Sequence, residues 1–251
     1  MLKTGAAWLG QIGNGVRDLL FPPSCIVCHC ELVEGAALCS ICADCLRALS
    51  LVEWPVCQRC AARVPELPGT VPCCSRCQRD KLAFDRGLAL GSYDGLLRDL
   101  VLRMKKDRSE LLAAAFGQLI QSRLGEALTN LSLDAIVPIP MPLRRRLSRG
   151  TNPPAALAEV LGRKLAVPTF PGLLTKPPNT SPQLGLSRAG RFQNIRGQIG
   201  IRAGYSLETP HVLLVDDVLT TGATCSEAAK VLKRQGAREV TVLVVGRTPN
   251  H

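Results

Sequence analysis

Residues 212–224 read VLLVDDVLTTGAT. An aliphatic run carries two adjacent carboxylates, Asp216 and Asp217, into a small, hydroxyl-rich turn. Such a run implies a buried strand. In a parallel sheet, a buried strand presents its ligand-contacting residues at its carboxyl end, where the next loop opens a helix. The spacing therefore predicts that the aspartates stand at a strand end and that residues 220–224 form a tight loop before a helix. Backbone N–H groups in such a loop, with the helix dipole behind them, bind a phosphate. Thr220, Thr221 and Thr224 add hydroxyl donors, Ala223 keeps the turn small, and Gly222 lets the backbone approach closely. Two carboxylates facing that phosphate would repel it. They make sense instead as acceptors for vicinal hydroxyls or as ligands for Mg2+. A phosphate and a diol so close together describe a ribose 5-phosphate.

The flanking sequence repeats the alternation of strand and helix. FDRGLALGSYDG (84–95) has strand-like alternation ending in a turn, and the following LLRDLVLRMKKD has helical periodicity. LLAAAFGQLIQSRLGEAL (111–128) predicts an amphipathic helix, and DAIVPIP (134–140) a buried strand closed by prolines. Asn152 reads as an N-cap, with Pro153 and Pro154 in the first turn of the helix containing AALAEVLGRKL. HVLLVDD (211–217), SEAAKVLKRQGA (226–237) and EVTVLVVG (239–246) continue as strand, helix and strand. This order predicts an α/β fold with a parallel sheet. Residues 175–198, TKPPNTSPQLGLSRAGRFQNIRGQ, are polar and too long for a routine connection. With Gln183, Arg188, Arg191 and Arg196 they suit a lid over an anion or a solvated loop.

Ahead of this lies a cysteine-rich region. Eleven of the twelve cysteines precede residue 80, and eight form four C-x2-C pairs: Cys25/Cys28, Cys42/Cys45, Cys57/Cys60 and Cys74/Cys77. Each of the last four lies 32 residues after its counterpart, so the unit is repeated. Two such knuckles complete a four-thiolate site suited to Zn2+, a closed structural site without an open catalytic position. Spacing leaves open whether the pairs are used in sequence or interleaved. Cys30, Cys39 and Cys73 fall outside the register. Cys225 reads as a small buried residue at a helix start, and His29, His211 and His251 as bystanders.

The formal net charge is +11, which points to an anionic partner: a phosphorylated small molecule or nucleic acid. Aromatics make up only 4%, which argues against a base-stacking platform. The first 22 residues pattern as an amphipathic helix, interrupted by polar residues unlike a signal peptide. No stretch is long enough to span a bilayer, and a cytoplasmic location is expected. There, paired cysteines hold metal more often than each other.

VLLVDDVLTTGAT resembles the phosphoribosyl pyrophosphate (PRPP) motif of type I phosphoribosyltransferases. Together with the cysteine module, IVPIPMPLRRRLSRGTN (136–152) and SPQLGLSRAGRFQNIRG (181–197), the chain resembles the ComF family of late-competence and GntX-like proteins over about residues 20–248. The apolar spacing places an N-terminal helix over 1–22, and the resemblance implies a double zinc ribbon over 23–80 and a phosphoribosyltransferase-like domain over 81–251, its parallel sheet flanked by helices. It implies that Asp216 and Asp217 are the catalytic pair, contacting the ribose hydroxyls directly or through Mg2+, and that residues 220–224 hold the 5-phosphate. Arg149 would lie near the pyrophosphate, with Gln183, Arg191 and Asn194 in a flexible loop. The chain departs from the family's RGFNQ at Arg149-Gly150-Thr151-Asn152-Pro153, where the aromatic residue and the Gln are missing.

Three functions follow from these features. The first is PRPP or ribose 5-phosphate binding in DNA uptake or in the use of imported DNA. The second is an active phosphoribosyltransferase with a nucleobase or amine acceptor. In the third, the ribbons form a docking module for a DNA-processing partner such as an uptake helicase. Single-stranded DNA would meet the basic clusters at Arg103, Lys105, Lys106 and Arg108, and at Arg144, Arg145, Arg146 and Arg149.

Overall fold

A computed structural model describes residues 22–32, 39–65, 74–106, 110–142, 152–177, 187–202, 204 and 211–249. The N-terminal helix expected over 1–22 therefore lies almost wholly outside the described residues. The chain divides into two compact units, Met1–Ala48 and Leu49–His251.

The first unit is built around one knuckle and one short helix. An antiparallel bridge joins Ser24 to Glu31. The Cys25 amide donates to the Cys30 carbonyl and the His29 amide to the Cys25 carbonyl, closing the turn. Helix α1, Ala43–Ala48, follows, with Asp44 in its first turn and Arg47 in its last, as the helix dipole favours.

The second unit opens with the repeat of that motif. Val56 and Arg63 form the matching antiparallel bridge, and helix α2, Ser75–Arg79, starts directly after Cys74 and contains Cys77. Strand β1 (Arg86–Ser92), helix α3 (Gly95–Met104), helix α4 (Leu111–Thr129), strand β2 (Ala135–Pro138) and helix α5 (Pro153–Leu165) come next. After them lie β3 (Leu174–Thr175), α6 (Arg188–Ile195), β4 (Gly200–Ile201), β5 (His211–Leu219), α7 (Ala223–Arg234) and β6 (Glu239–Arg247). The sheet runs β1-β6-β5-β2, and every pairing in it is parallel. β3 and β4 form a separate antiparallel pair.

The strand residues are apolar on both sides because the sheet is buried on both faces. Val212, Leu214, Val240, Val242 and Val244 pack in one cluster with Ala228, Ala229 and Leu232 of α7. Their neighbours Leu213, Val215, Leu243 and Val245 are equally buried and, by strand alternation, face the other way. α5 covers β5 and β2, and α3 lies against β1 and β6. α4 is buried over more of its circumference than a simple amphipathic stripe, with Leu112, Phe116, Leu119, Ile120 and Leu128 all enclosed.

Three local expectations change. β5 does not stop at the aspartates: Val218 and Leu219 still pair with Gly246 and Arg247. Asn152 stands at the N-cap of α5, but its side chain caps nothing and its buried Oδ1 lacks a hydrogen-bond partner. Pro154 at the second helical position has no N–H to offer a cap, and the Ala155 amide at the third donates to the Asn152 backbone carbonyl at 2.9 Å instead. Part of the 175–198 segment is helical: the Ser187 side chain accepts from the Gly190 amide to start α6, and Ile195 is buried at its end.

Candidate functional site

Strand alternation separates the two aspartates. Asp216 follows the α7 side of the sheet, and its Oδ2 lies 3.8 Å from the Cys225 thiol of α7. Asp217 faces the other way, where Lys105, just after α3, places its Nζ 3.0 Å from Asp217 Oδ2. The Asp217 amide also donates to Asp216 Oδ1 at 2.9 Å. Burial pushes the Asp216 carboxyl up to about 7, and the neighbouring Asp217 charge adds to that rise. Burial and the same carboxylate push the Cys225 thiol well above its ordinary value. Cys225 is therefore an inert core residue, in spite of its place at a helix start.

The 220–224 segment turns from β5 into α7. Gly222 is the N-cap of α7, in left-handed backbone at φ +81°. A Cβ there would also meet Leu82 Cδ2 at 3.3 Å. Both conditions favour glycine. The Thr221 hydroxyl accepts from the Ala223 amide at 3.3 Å, and the first-turn amides of α7 open toward the loop. Asp216, Asp217, Thr220, Thr221, Gly222, Ala223 and Thr224 are thus brought to one edge of the sheet. Arg149 and Gln183 lie outside the described residues, whereas Arg191 and Asn194 are both on α6. Arg188 engages Asp80 through Nε at 2.8 Å, so this arginine of the expected lid is bound to an acid.

The cysteine pairs are used in sequence. Cys25, Cys28, Cys42 and Cys45 form one cluster, and Cys57, Cys60, Cys74 and Cys77 the other, with the sulfurs in each within 4.8 Å of one another. Sulfurs around a tetrahedral zinc with 2.3 Å bonds would be about 3.8 Å apart. The Cys28–Cys42 and Cys60–Cys74 separations are 3.7 and 3.6 Å. Each set therefore fits a closed Zn2+ site. The Cys42 amide points at Cys25 Sγ (3.4 Å) and the Cys74 amide at Cys57 Sγ (3.3 Å), a repeated contact that stabilises thiolate. Hydrogen bonding from Cys60 pulls Cys57 down to about 4. Cys30 is excluded from the first set; hydrogen bonding with Cys28 and Cys42 pushes its thiol up to about 12. Cys39 joins neither cluster, and Cys73 lies outside the described residues.

No family model matches the chain. Individual relatives match over nearly their whole length. The DNA utilization protein YhgH of Salmonella typhimurium is 31% identical over 240 residues, covering 92% of this chain and 99% of that one. The chain belongs to the ComF family. Competence protein F of Haemophilus influenzae is 28% identical over 224 residues, covering 87% of this chain and 95% of the relative. Competence protein ComFC of Bacillus subtilis is 24% identical over 245 residues, with 90% and 93% coverage. Among solved structures, adenine phosphoribosyltransferase from Trypanosoma brucei, in complex with AMP, pyrophosphate and ribose-5-phosphate, matches at 14% identity. It covers 63% of this chain and 81% of that one, with a TM-score of 0.35. A Staphylococcus aureus hypoxanthine phosphoribosyltransferase matches at 16% identity over 55% and 76%, also at 0.35. No residue role passes from either to this ComF protein.

Two residues of this ComF protein were not legible as site residues. Lys105 sits in a run of basic residues that reads as a solvated or nucleic-acid-facing helix end, yet its ammonium is on Asp217. Arg247 reads as the polar end of a strand but is buried, 6% exposed. Its position after seven apolar or small residues, VTVLVVG, was the available signal.

Proposed function

We propose that this ComF-family protein binds PRPP or a related ribose 5-phosphate at the carboxyl edge of β5, and that it does so in DNA uptake or in the use of imported DNA. The observation that carries the reading is the convergence of the carboxylate pair and the glycine-capped, hydroxyl-lined start of α7 at one sheet edge. In this reading, the α7 amides and the hydroxyls of Thr220, Thr221 and Thr224 hold the 5-phosphate. Asp217, with Asp216 behind it, accepts from the ribose hydroxyls. Asp217 would also hold Mg2+, which supplies positive charge to a bound pyrophosphate. Lys105 balances the Asp217 charge from α3's end.

The test is calorimetry of PRPP binding to the full chain with Mg2+. Binding is expected for the wild type, with a loss of at least about tenfold in Asp217→Asn and Asp216→Asn, equivalent to about 1.4 kcal/mol. Absence of PRPP affinity, or affinity unchanged from the wild type in both variants, removes the proposal. Pyrophosphate release in the presence of nucleobases and amines separates binding from transfer.

A further inference from the structure

The second cysteine cluster and the phosphate loop share one buried side chain. Arg247 ends β6, and its Nε donates to the carbonyl of Cys60 at 2.9 Å. Its Nη1 donates to the carbonyls of Leu219 at 2.9 Å and Thr220 at 2.8 Å, where β5 enters the loop. The same nitrogen lies 3.1 Å from both the carbonyl and the hydroxyl of Thr248. Nη2 stands 4.0 Å from Cys60 Sγ. One guanidinium therefore spans a metal-ligand residue and the first peptides of the loop. A buried guanidinium needs acceptors and a compensating charge. Four thiolates around a divalent cation are left dianionic, so the occupied cluster supplies that charge and the strand-end carbonyls supply the acceptors.

Further contacts run in the same direction. The 57–60 knuckle lies on β1, where a Cβ on Gly87 would come within 3.0 Å of Cys60 Cα. Arg59 Nη2 donates to the Leu82 carbonyl. Leu82 packs against Gly222, and the Ala83 amide donates to Ser226 Oγ of α7 at 3.0 Å. Cys57, Cys60, Cys74, Leu82, Phe84, Leu219 and Ala223 belong to a single apolar cluster.

We propose that Arg247 is a positioning residue that couples the two sites. Metal in the second cluster holds the 220–224 loop in its binding geometry, and a ligand on that loop retains the metal. The coupling is reciprocal, as linkage between two binding equilibria requires. It is also asymmetric between the clusters: every partner of Arg247 named above lies in the Leu49–His251 unit, together with the second cluster only. The identity of the ligand rests on the ribose-phosphate reading; the coupling of cluster to loop does not.

The experiment uses the full-length protein with zinc in both clusters and three readouts. Zinc release to a colorimetric chelator is followed with and without PRPP and Mg2+. Two phases are expected, one of them slowed about tenfold by PRPP, within the usual range of coupling. Cys60→Ser should lose that phase and Cys28→Ser should keep it. Hydrogen exchange of the peptide spanning 219–226 is measured without ligand. It should quicken when the second zinc is removed from the wild type, and in Arg247→Met with both zincs bound. Arg247→Lys keeps the charge but not the fork. It should therefore retain zinc better than Arg247→Met while the loop still exchanges quickly. A generally destabilised chain would instead exchange faster throughout the sheet. The proposal is overturned if loop exchange ignores the second zinc, if Arg247→Met retains wild-type loop exchange, or if PRPP slows both phases equally. If PRPP does not bind at all, the ribose-phosphate reading falls and the exchange measurements still decide the coupling.

Discussion

At Asp216, burial and local charge act in opposition. Its carboxyl rises from 3.8 to about 7, through burial first and the Asp217 charge second, while the Asp217 amide and Lys105 oppose the rise. A folded-state pKa above the unfolded one means a stabilising contribution that is complete below about pH 4 and lost as pH rises through 7. Asp216→Asn does not titrate. Its stability relative to wild type should therefore climb from pH 4 to pH 7 and level off above, by on the order of 2 kcal/mol after allowance for partial exposure. Urea unfolding at a series of pH values measures this, and a pH-independent difference would contradict it. Lys105→Met removes one of the charges restraining that carboxyl. The Asp216 titration, followed by carboxyl 13C NMR, should move to higher pH. The pairing of the aspartates was legible as a motif. Their separation onto two sides of the sheet follows only from strand alternation once β5 extends beyond them. The distance from Lys105 to Asp217 depends on where α3 ends in space, which residue type alone does not specify.

Among the elements, the turn between β5 and α7 depends most on a single residue. Gly222→Ala would place a Cβ in left-handed backbone and against Leu82. The backbone term alone is about 1–2 kcal/mol. The expected result is a loss of that order in unfolding free energy, with PRPP affinity falling about tenfold or more. Unchanged affinity would mean that the loop tolerates a relaxed geometry. The four strands of the parallel sheet and helices α3, α4, α5 and α7 were legible because their apolar periodicity and their glycine and proline punctuation agree. The two-residue β3 and β4 are too short to carry a period. α6 was not legible, because Pro, Gly and Arg dominate its neighbourhood. Its helix forms from the Ser187 cap and from burial of Ile195 against the core that contains α7, a tertiary contribution. Glu227 of α7 extends this docking by accepting from the Gly197 amide at 2.9 Å.

For the molecule as a whole, the charge of +11 favours contact with a polyanion such as DNA. One basic cluster, Arg144, Arg145, Arg146 and Arg149, lies wholly outside the described residues, as does Arg108 of the other, which contributes Lys105 to an acid. The remaining positive charge predicts single-stranded DNA binding that weakens steeply with salt, each phosphate contact lowering the logarithmic slope by about 0.7. Fluorescence anisotropy between low and physiological salt tests this, and no binding at low salt would remove the DNA contact. Among the described residues, no helix is long and apolar enough to cross a membrane.

The sequence by itself determined the alternation of strand and helix, the two four-cysteine sets and the carboxylate–turn motif. Each is written in local spacing: period two, period three to four, or C-x2-C. The tertiary structure decided what those motifs touch. It used the cysteine pairs in sequence, set Asp216 and Asp217 against different neighbours, and brought Cys60 and Thr220 to the same guanidinium although they lie far apart in the chain. A buried charge must find its acceptors wherever the packed chain presents them, and local spacing carries no record of that distance.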